Sequence, residues 1–185
     1  MKKYGMHLYI APVIMAVALP AMASEASLTT VAAVDVERYA GRWYEIARLP
    51  MPYQDQCASD TTATYHVNAD GTLQVLNRCR QADGSWSQAE GLARSKNPDN
   101  SRLSVTFLPK ALRWLPVGQA DYWIMALDKD YQHALIGQPS RKYLWLLSRK
   151  PVMDETIHQA YLKQAREAGY DLSRMIRSPH HQASD

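Results

Sequence analysis

From residue 42 to about residue 149 apolar and polar positions alternate with a period of two, the mark of half-buried strands. Turn-forming clusters cut this region at fairly even intervals: Pro50 and Pro52, "NADG" at 68–71, "ADGS" at 82–85, "NPDN" at 97–100, Pro109 and Pro116, "DKD" at 128–130, "GQPS" at 137–140, and Pro151. The spacing predicts strands over 42–50, 57–67, 72–80, 86–95, 102–108, 119–127, 131–137 and 142–149. Consecutive strands with mostly short connections form an antiparallel meander. Closing such a sheet into a barrel removes its two exposed edges. The expected fold is all-β, an eight-stranded antiparallel up-and-down barrel.

The period then changes. "MDETIHQAYLKQAREAGYD" (153–171) places Ile157, Ala160, Tyr161, Ala165 and Ala168 at helical spacing, with Asp154 as N-cap and Gly169 as stop. A single apolar stripe suits a helix packed on the outside of the barrel. "VDVERYAG" (34–41) reads as a short helical lead-in and "SRMIRS" (173–178) as a last short strand. The expected organisation is a leader at 24–33, one folded domain at 34–178 and a frayed tail at 179–185.

Residues 1–23 carry the pattern of a secretory signal peptide: Lys2 and Lys3, the apolar run "LYIAPVIMAVALP", and small residues in "AMAS" around a cut after Ala23. Pro12 and Pro20 interrupt the run, which is short for a membrane span; a retained N-terminal anchor is the competing reading. A lipoprotein signal needs a cysteine just after the cut, and the first cysteine is Cys57. The expected product is exported and soluble in the periplasm, with outer-membrane association left open despite the missing lipoprotein cysteine. Setting aside Lys2 and Lys3 leaves 19 of the 21 basic residues against 18 acidic ones, so charge points to no polyanionic partner. With no basic block interleaved with aromatics, nucleic acid is not expected as a partner.

Cys57 and Cys79 are the only cysteines. An even pair in an oxidising compartment argues for one disulfide, and the two lie nearly opposite on the hairpin of the second and third strands. A nucleophilic thiol is the alternative. The sequence has no G-x-S-x-G, H-E-x-x-H or Gly-rich phosphate loop. The adjacent His180 and His181 are a weak metal signal, and no metal or cofactor is assigned. No enzyme activity is expected.

"GRWYEIARLP" (41–50), "LDKDYQHALI" (127–136) and Arg149 closing "YLWLLSR" (143–149) resemble the three signature regions of lipocalins, in order and with matching gaps. "TATY", "VLNRC" and a following helix strengthen the resemblance, which spans roughly 34–177 and is nearest to bacterial lipocalins of the Blc type and to apolipoprotein D. In this topology Gly41, Trp43, Asp128, Tyr131 and Arg149 cluster at one closed end. Cation–π stacking of Arg149 on Trp43 there contributes about 0.5–2 kcal/mol. These residues read as structural.

Alternation from Trp43 places Glu45, Ala47 and Leu49 inward. The same rule selects Ala63, Tyr65, Leu73 and Val75, then Leu103, Val105 and Phe107, then Tyr122, Ile124 and Ala126, and finally Tyr143, Trp145 and Leu147. Ala47, Ala63 and Ala126 suggest unfilled volume, hence a ligand cavity. An elongated apolar ligand fits the residues; the resemblance implies fatty acids or lysophospholipids, held for storage, transport or repair of envelope lipids. Alternatives are a lipocalin-type enzyme using a cavity thiol and a binder of a coloured hydrophobe such as a tetrapyrrole. The connection "LPKALRWLPVGQAD" (108–121) belongs at the mouth and sets Leu112, Trp114 and Leu115 beside Lys110 and Arg113. It suits peripheral membrane contact, a dimer contact or a lid. Monomer and homodimer both remain open.

Overall fold

A computed structural model describes residues 28–115 and 117–181. The signal-peptide segment 1–23 lies outside the described residues. Eight strands follow one another around a barrel: β1 (Gly41–Arg48), β2 (Ser59–Val67), β3 (Leu73–Arg80), β4 (Trp86–Ser95), β5 (Arg102–Thr106), β6 (Gln119–Leu127), β7 (His133–Gly137) and β8 (Leu144–Ser148). Each pairs antiparallel with the next, and β1 pairs with both β8 and β2, which closes the ring. A short helix α1 (Val36–Tyr39) precedes β1. A longer helix α2 (Glu155–Glu167) and a ninth strand β9 (Ile176–Arg177) follow β8.

Two apolar clusters result. The inner one fills the lower barrel with Tyr39, Trp43, Tyr65, Val75, Leu103, Val105, Ile124 and Leu147 among others. The outer one lies under α2 and includes Ile46, Leu135, Leu144, Leu146, Tyr161 and Ala165. Asp154 caps α2, its carboxylate accepting from the Thr156 and Ile157 amides at 2.8 and 3.3 Å. The buried stripe of α2 is His158, Tyr161, Leu162 and Ala165; Ala160, expected on it, is exposed.

Two β-bulges redirect the alternation. One lies between Glu45 and Ala47, opposite Leu147 and Leu146; the other lies between Ile124 and Ala126, opposite Ile136 and Leu135. A bulge adds one residue to one strand, so every side chain beyond it changes face. Ala47, Leu49 and Ala126 therefore pack in the outer cluster, contrary to the expectation that they line the cavity. Arg48, expected outside, comes opposite Trp145 instead and is buried.

Both chain ends act as seals. Leader residues attach where β5 and β6 stop pairing: the Val31 amide donates to Ile124 O at 2.9 Å, the Val34 amide to Asp99 O at 2.8 Å, and Leu28 is buried. The tail fills a gap between β1 and β2, which pair only over Gly41–Tyr44 and Thr62–Tyr65. Beyond that point β9 pairs with Ala47 and Arg48, the Ser178 amide donates to Ile46 O, and the Asp60 amide donates to Pro179 O. His181 pairs with Asp60 at 2.7 Å. The expected flexible leader and frayed tail are thus corrected for residues 28–33 and 179–181, because each supplies backbone partners to a parted seam.

Candidate ligand-binding site

The floor is built around Arg149. Its Nη1 donates to Arg42 O at 2.8 Å, its Nη2 to the carbonyls of Arg38, Tyr39 and Ala40 at 2.8–3.1 Å, and its Nε to Tyr131 O at 3.2 Å. The guanidinium carbon lies 3.9 Å from the Trp43 ring centre. Gly41 has φ +91°, and a Cβ there would stand 3.3 Å from Arg149 Nη1. Asp128 accepts from the Gln132 and His133 amides and shapes the turn, while Tyr131 Oη accepts from the Asp35 amide at 3.0 Å. Gly41, Trp43, Asp128, Tyr131 and Arg149 thus lie together at the closed end, where α1 plugs the barrel with the fully buried Tyr39.

Above the floor, Tyr39, Tyr65 and Tyr122 join their hydroxyls, with Oη···Oη distances of 2.7 and 2.8 Å. Burial pushes the Tyr65 hydroxyl up to about 12 and raises Tyr39 and Tyr122 well above the usual phenol value, so all three stay neutral. Ring neighbours continue upward from Tyr122 to Trp145 (6.5 Å between centres), Tyr143 (6.3 Å) and Tyr53 at the rim (6.3 Å). One face of the lumen is therefore aromatic from Trp43 to the mouth.

The face across from β8 is made by β4, four strands away around an eight-membered ring. Ala93 packs in the inner cluster, and alternation places Gly91, Ala89 and Ser87 on the same inner face. All four are small. Ala89, opposite Asn77, is exposed, as is Ala120, which shares the inner face with its partner Val105. The upper lumen is thus open to solvent between a small-residue wall and an aromatic one. These positions were missed from the sequence, although "SQAEGLA" (87–93) carries the signal: every second residue is small.

A smaller pocket of about 50 Å³ lies deeper, lined by Glu45, Gln54, Thr61, Thr62, Ala63, Tyr65, Asn77, Tyr122, Trp145 and Leu147. Gln54 roofs it. The Gln54 amide donates to Glu45 Oε2 at 2.9 Å and its oxygen accepts from Trp145 Nε1 at 3.0 Å, while Gln54 O accepts from Arg48 Nη2 at 3.2 Å. Glu45 pairs with Arg48 at 3.3 Å and accepts from the Ser178 hydroxyl. Burial raises the Glu45 carboxyl above its usual range, against the lowering influence of Ser178, Gln54 and Arg48. Such a volume holds only a few waters, well short of the several hundred Å³ usual for a ligand site. Above this pocket, the inner-face positions open to solvent are Ala89 and Ala120, nearer the mouth. A groove of about 330 Å³ between the leader and α2 lies outside the barrel, with Arg141 and Glu167 among its lining residues.

Of the other expected cavity residues, Tyr65, Val75, Val105 and Ile124 are buried in the inner cluster, and Ala63, Tyr122 and Trp145 pack against it. Tyr143 and Phe107 stand at the rim. Phe107 follows the end of β5, is 44% exposed, and its ring occupies the space a Cβ on Gly91 would take. Cys57 and Cys79 form a disulfide that ties the β1–β2 loop to the end of β3. The register shift that brings them together lies at Ser59–Thr62, with Asp60 at φ +54°. The described residues contain no free cysteine, which removes the nucleophile that a thiol mechanism requires. Leu112 and Trp114 are exposed and Leu115 is half-buried. The Trp114 indole donates to Ala111 O within its own loop and does not fold over the mouth. Among the described residues no three metal-ligating side chains converge, and no helix is long and apolar enough to cross a membrane.

A family model described as a lipocalin-like domain matches residues 34–180. Temperature-induced lipocalin-1 of Arabidopsis thaliana is 44% identical over 161 residues, covering 85% of this chain and 86% of that protein. Outer membrane lipoprotein Blc of Escherichia coli (strain K12) is 37% identical over 151 residues, covering 80% and 81%. Among solved structures, insecticyanin from the tobacco hornworm Manduca sexta superposes with a TM-score of 0.65 over 84% of this chain and 86% of its own, at 22% identity, a likeness of fold.

Proposed function

The chain belongs to the lipocalin family, whose members bind small hydrophobic ligands, and we propose that this one carries an acyl lipid, a fatty acid or lysophospholipid, in its upper lumen. The observation that carries this reading is the pairing of walls. Ser87 and Ala89 on β4 leave room in front of Tyr143 and Trp145, above Gly91, which the Phe107 ring covers, and the buried Ala93. An acyl chain lying between them leaves water, at about 0.8 kcal/mol per buried methylene before the cost of association. The head group stays at the mouth, where Lys110, Arg113 and Lys142 stand. The interior holds a neutral tyrosine network and a lidded carboxylate, with no free nucleophile beside it, so binding rather than turnover is the activity we assign. An exported carrier of this kind serves storage, transport or repair of envelope lipids.

The test is to fill the lumen from a position that the fold does not need. Ala89 is exposed on the inner face. Ala89→Trp is expected to abolish displacement of a fluorescent fatty acid while leaving the melting temperature unchanged. Gln88→Trp, one residue away on the outer face, is expected to bind like the parent. Equal binding by both variants would sink the proposal, as would a parent protein that binds no acyl probe.

A further inference from the structure

The two ends of the barrel differ in a way that the fold does not require. Among the described residues, eight large hydrophobic side chains are strongly exposed, and six of them stand at the mouth: Tyr53, Trp86, Phe107, Leu112, Trp114 and Val117. Tyr53 and Trp114 are 76% and 77% exposed. They come from two connections, β1–β2 and β5–β6, and from the mouth end of β4, so they occupy several sides of the opening. The three closed-end turns, 68–72, 96–101 and 128–132, supply none.

Charge follows the same axis. The mouth connections 49–58, 81–85, 107–118 and 138–143 hold four basic residues, Lys110, Arg113, Arg141 and Lys142, against two acidic ones, Asp55 and Asp83. The closed-end turns hold four acidic residues, Asp70, Asp99, Asp128 and Asp130, against two basic ones, Lys96 and Lys129, but Arg38, Arg42, Arg149 and Lys150 against Asp35, Glu37 and Asp154 bring the whole of that end close to neutral. Arg78 and Arg80 add cations on the outer rim, over the Trp86 ring at 4.7 and 5.9 Å.

We infer that the mouth is a docking face for an anionic bilayer. Tryptophan and tyrosine favour the boundary between head groups and acyl chains, where one end of the ring is wet and the other is not. Lysine and arginine beside them are drawn to anionic lipid, each worth about a fivefold gain in binding. The net-positive mouth is drawn to an anionic surface more strongly than the nearly neutral closed end, which favours a mouth-down approach. A second copy docked mouth to mouth would bring two net-positive rims together, so the charge favours a bilayer over self-association. Docked this way, the lumen opens directly onto the lipid surface, and a ligand enters without crossing water. That last step rests on the lipid-carrier reading; the docking itself does not.

Vesicle flotation tests it, using phosphatidylcholine alone and phosphatidylcholine with about one third phosphatidylglycerol. Binding is expected with the anionic vesicles at low salt, with loss in high salt and little binding to neutral vesicles. Lys110→Glu and Lys142→Glu are each expected to weaken binding about fivefold or more. Trp114→Ala is expected to weaken it and to reduce the quenching of tryptophan fluorescence by brominated lipid, leaving the share from Trp86, while Val152→Ala at the other end changes neither. Binding indifferent to lipid charge, or a rim-dependent dimer in sedimentation that Trp114→Ala dissociates, would overturn the inference. Fatty-acid displacement in solution separates the two ideas: Trp114→Ala, outside the ligand site, should retain it. A protein that docks but binds no acyl probe refutes the carrier and leaves the docking face standing.

Discussion

Arg149 shows how one side chain can close a fold. Five hydrogen bonds and a stacking contact converge on it, joining the carbonyls of Arg38, Tyr39, Ala40 and Arg42 to that of Tyr131, far away in the chain. Arg149→Ala is expected to lower the unfolding free energy by about 2–4 kcal/mol in urea titration. Arg149→Lys should recover less than half of that, since an ammonium cannot fork toward several carbonyls. Glu45 makes a different argument. Its carboxyl is raised in the folded protein, so its contribution to stability is complete below the unfolded value near 4.3 and declines as pH rises through the folded value. The stability of the parent relative to Glu45→Gln is therefore expected to be flat in acid and to fall with rising pH above about 4.3. A difference that grows with pH would contradict the burial argument. Glu45 was legible as an inward carboxylate from alternation alone; its partner Arg48 was not, because the bulge at residue 46 lies between them.

At the scale of elements, the termini carry more of the architecture than their composition suggests. The tail supplies hydrogen bonds to both sides of the β1–β2 gap. Deleting residues 178–185 is expected to lower stability by about 2–3 kcal/mol and to speed amide exchange at Asp60. Unchanged exchange there would mean that the seam holds without the tail. The disulfide constrains the β1–β2 loop that holds Gln54 over the inner pocket. Cys57→Ala with Cys79→Ala is expected to cost about 3 kcal/mol, read as a drop in the denaturation midpoint. The strands themselves, their order and the helix with its Asp154 cap were readable in advance. Each rests on local signals: period-two alternation, Gly and Asp turns, and a capping carboxylate. "PHH" at 179–181 carries no such signal, and its order comes entirely from the gap it fills.

The whole molecule is an asymmetric cup. Its lower half is packed apart from one small polar pocket, its upper inner face is exposed at Ala89 and Ala120, and its mouth is net positive above a nearly neutral floor. The wall opposite the aromatics was legible in "SQAEGLA", where a run of small residues at every second position marks a lumen face. Two of the three alanines that first suggested a cavity, Ala47 and Ala126, turn out to pack under the helix. Ala63 alone of them lines the interior. Ala63→Leu is thus expected to weaken acyl binding, and Ala126→Ser to leave it unchanged, by fluorescence displacement.

The sequence by itself determined the number of strands, their order, the closure into a barrel and the partnership of the cysteines. Those follow from hydrophobic period and turn chemistry, which act within a few residues. Only the tertiary structure decided which way the side chains point beyond each bulge. At "WIMAL" both faces of the strand are apolar, and at "EIARL" alternation gives each face one charge among apolar residues, since one face meets the lumen and the other meets α2 or its neighbours. With no polar face to mark the outside, alternation loses its sign there, and the packing of the helix against the barrel supplies it.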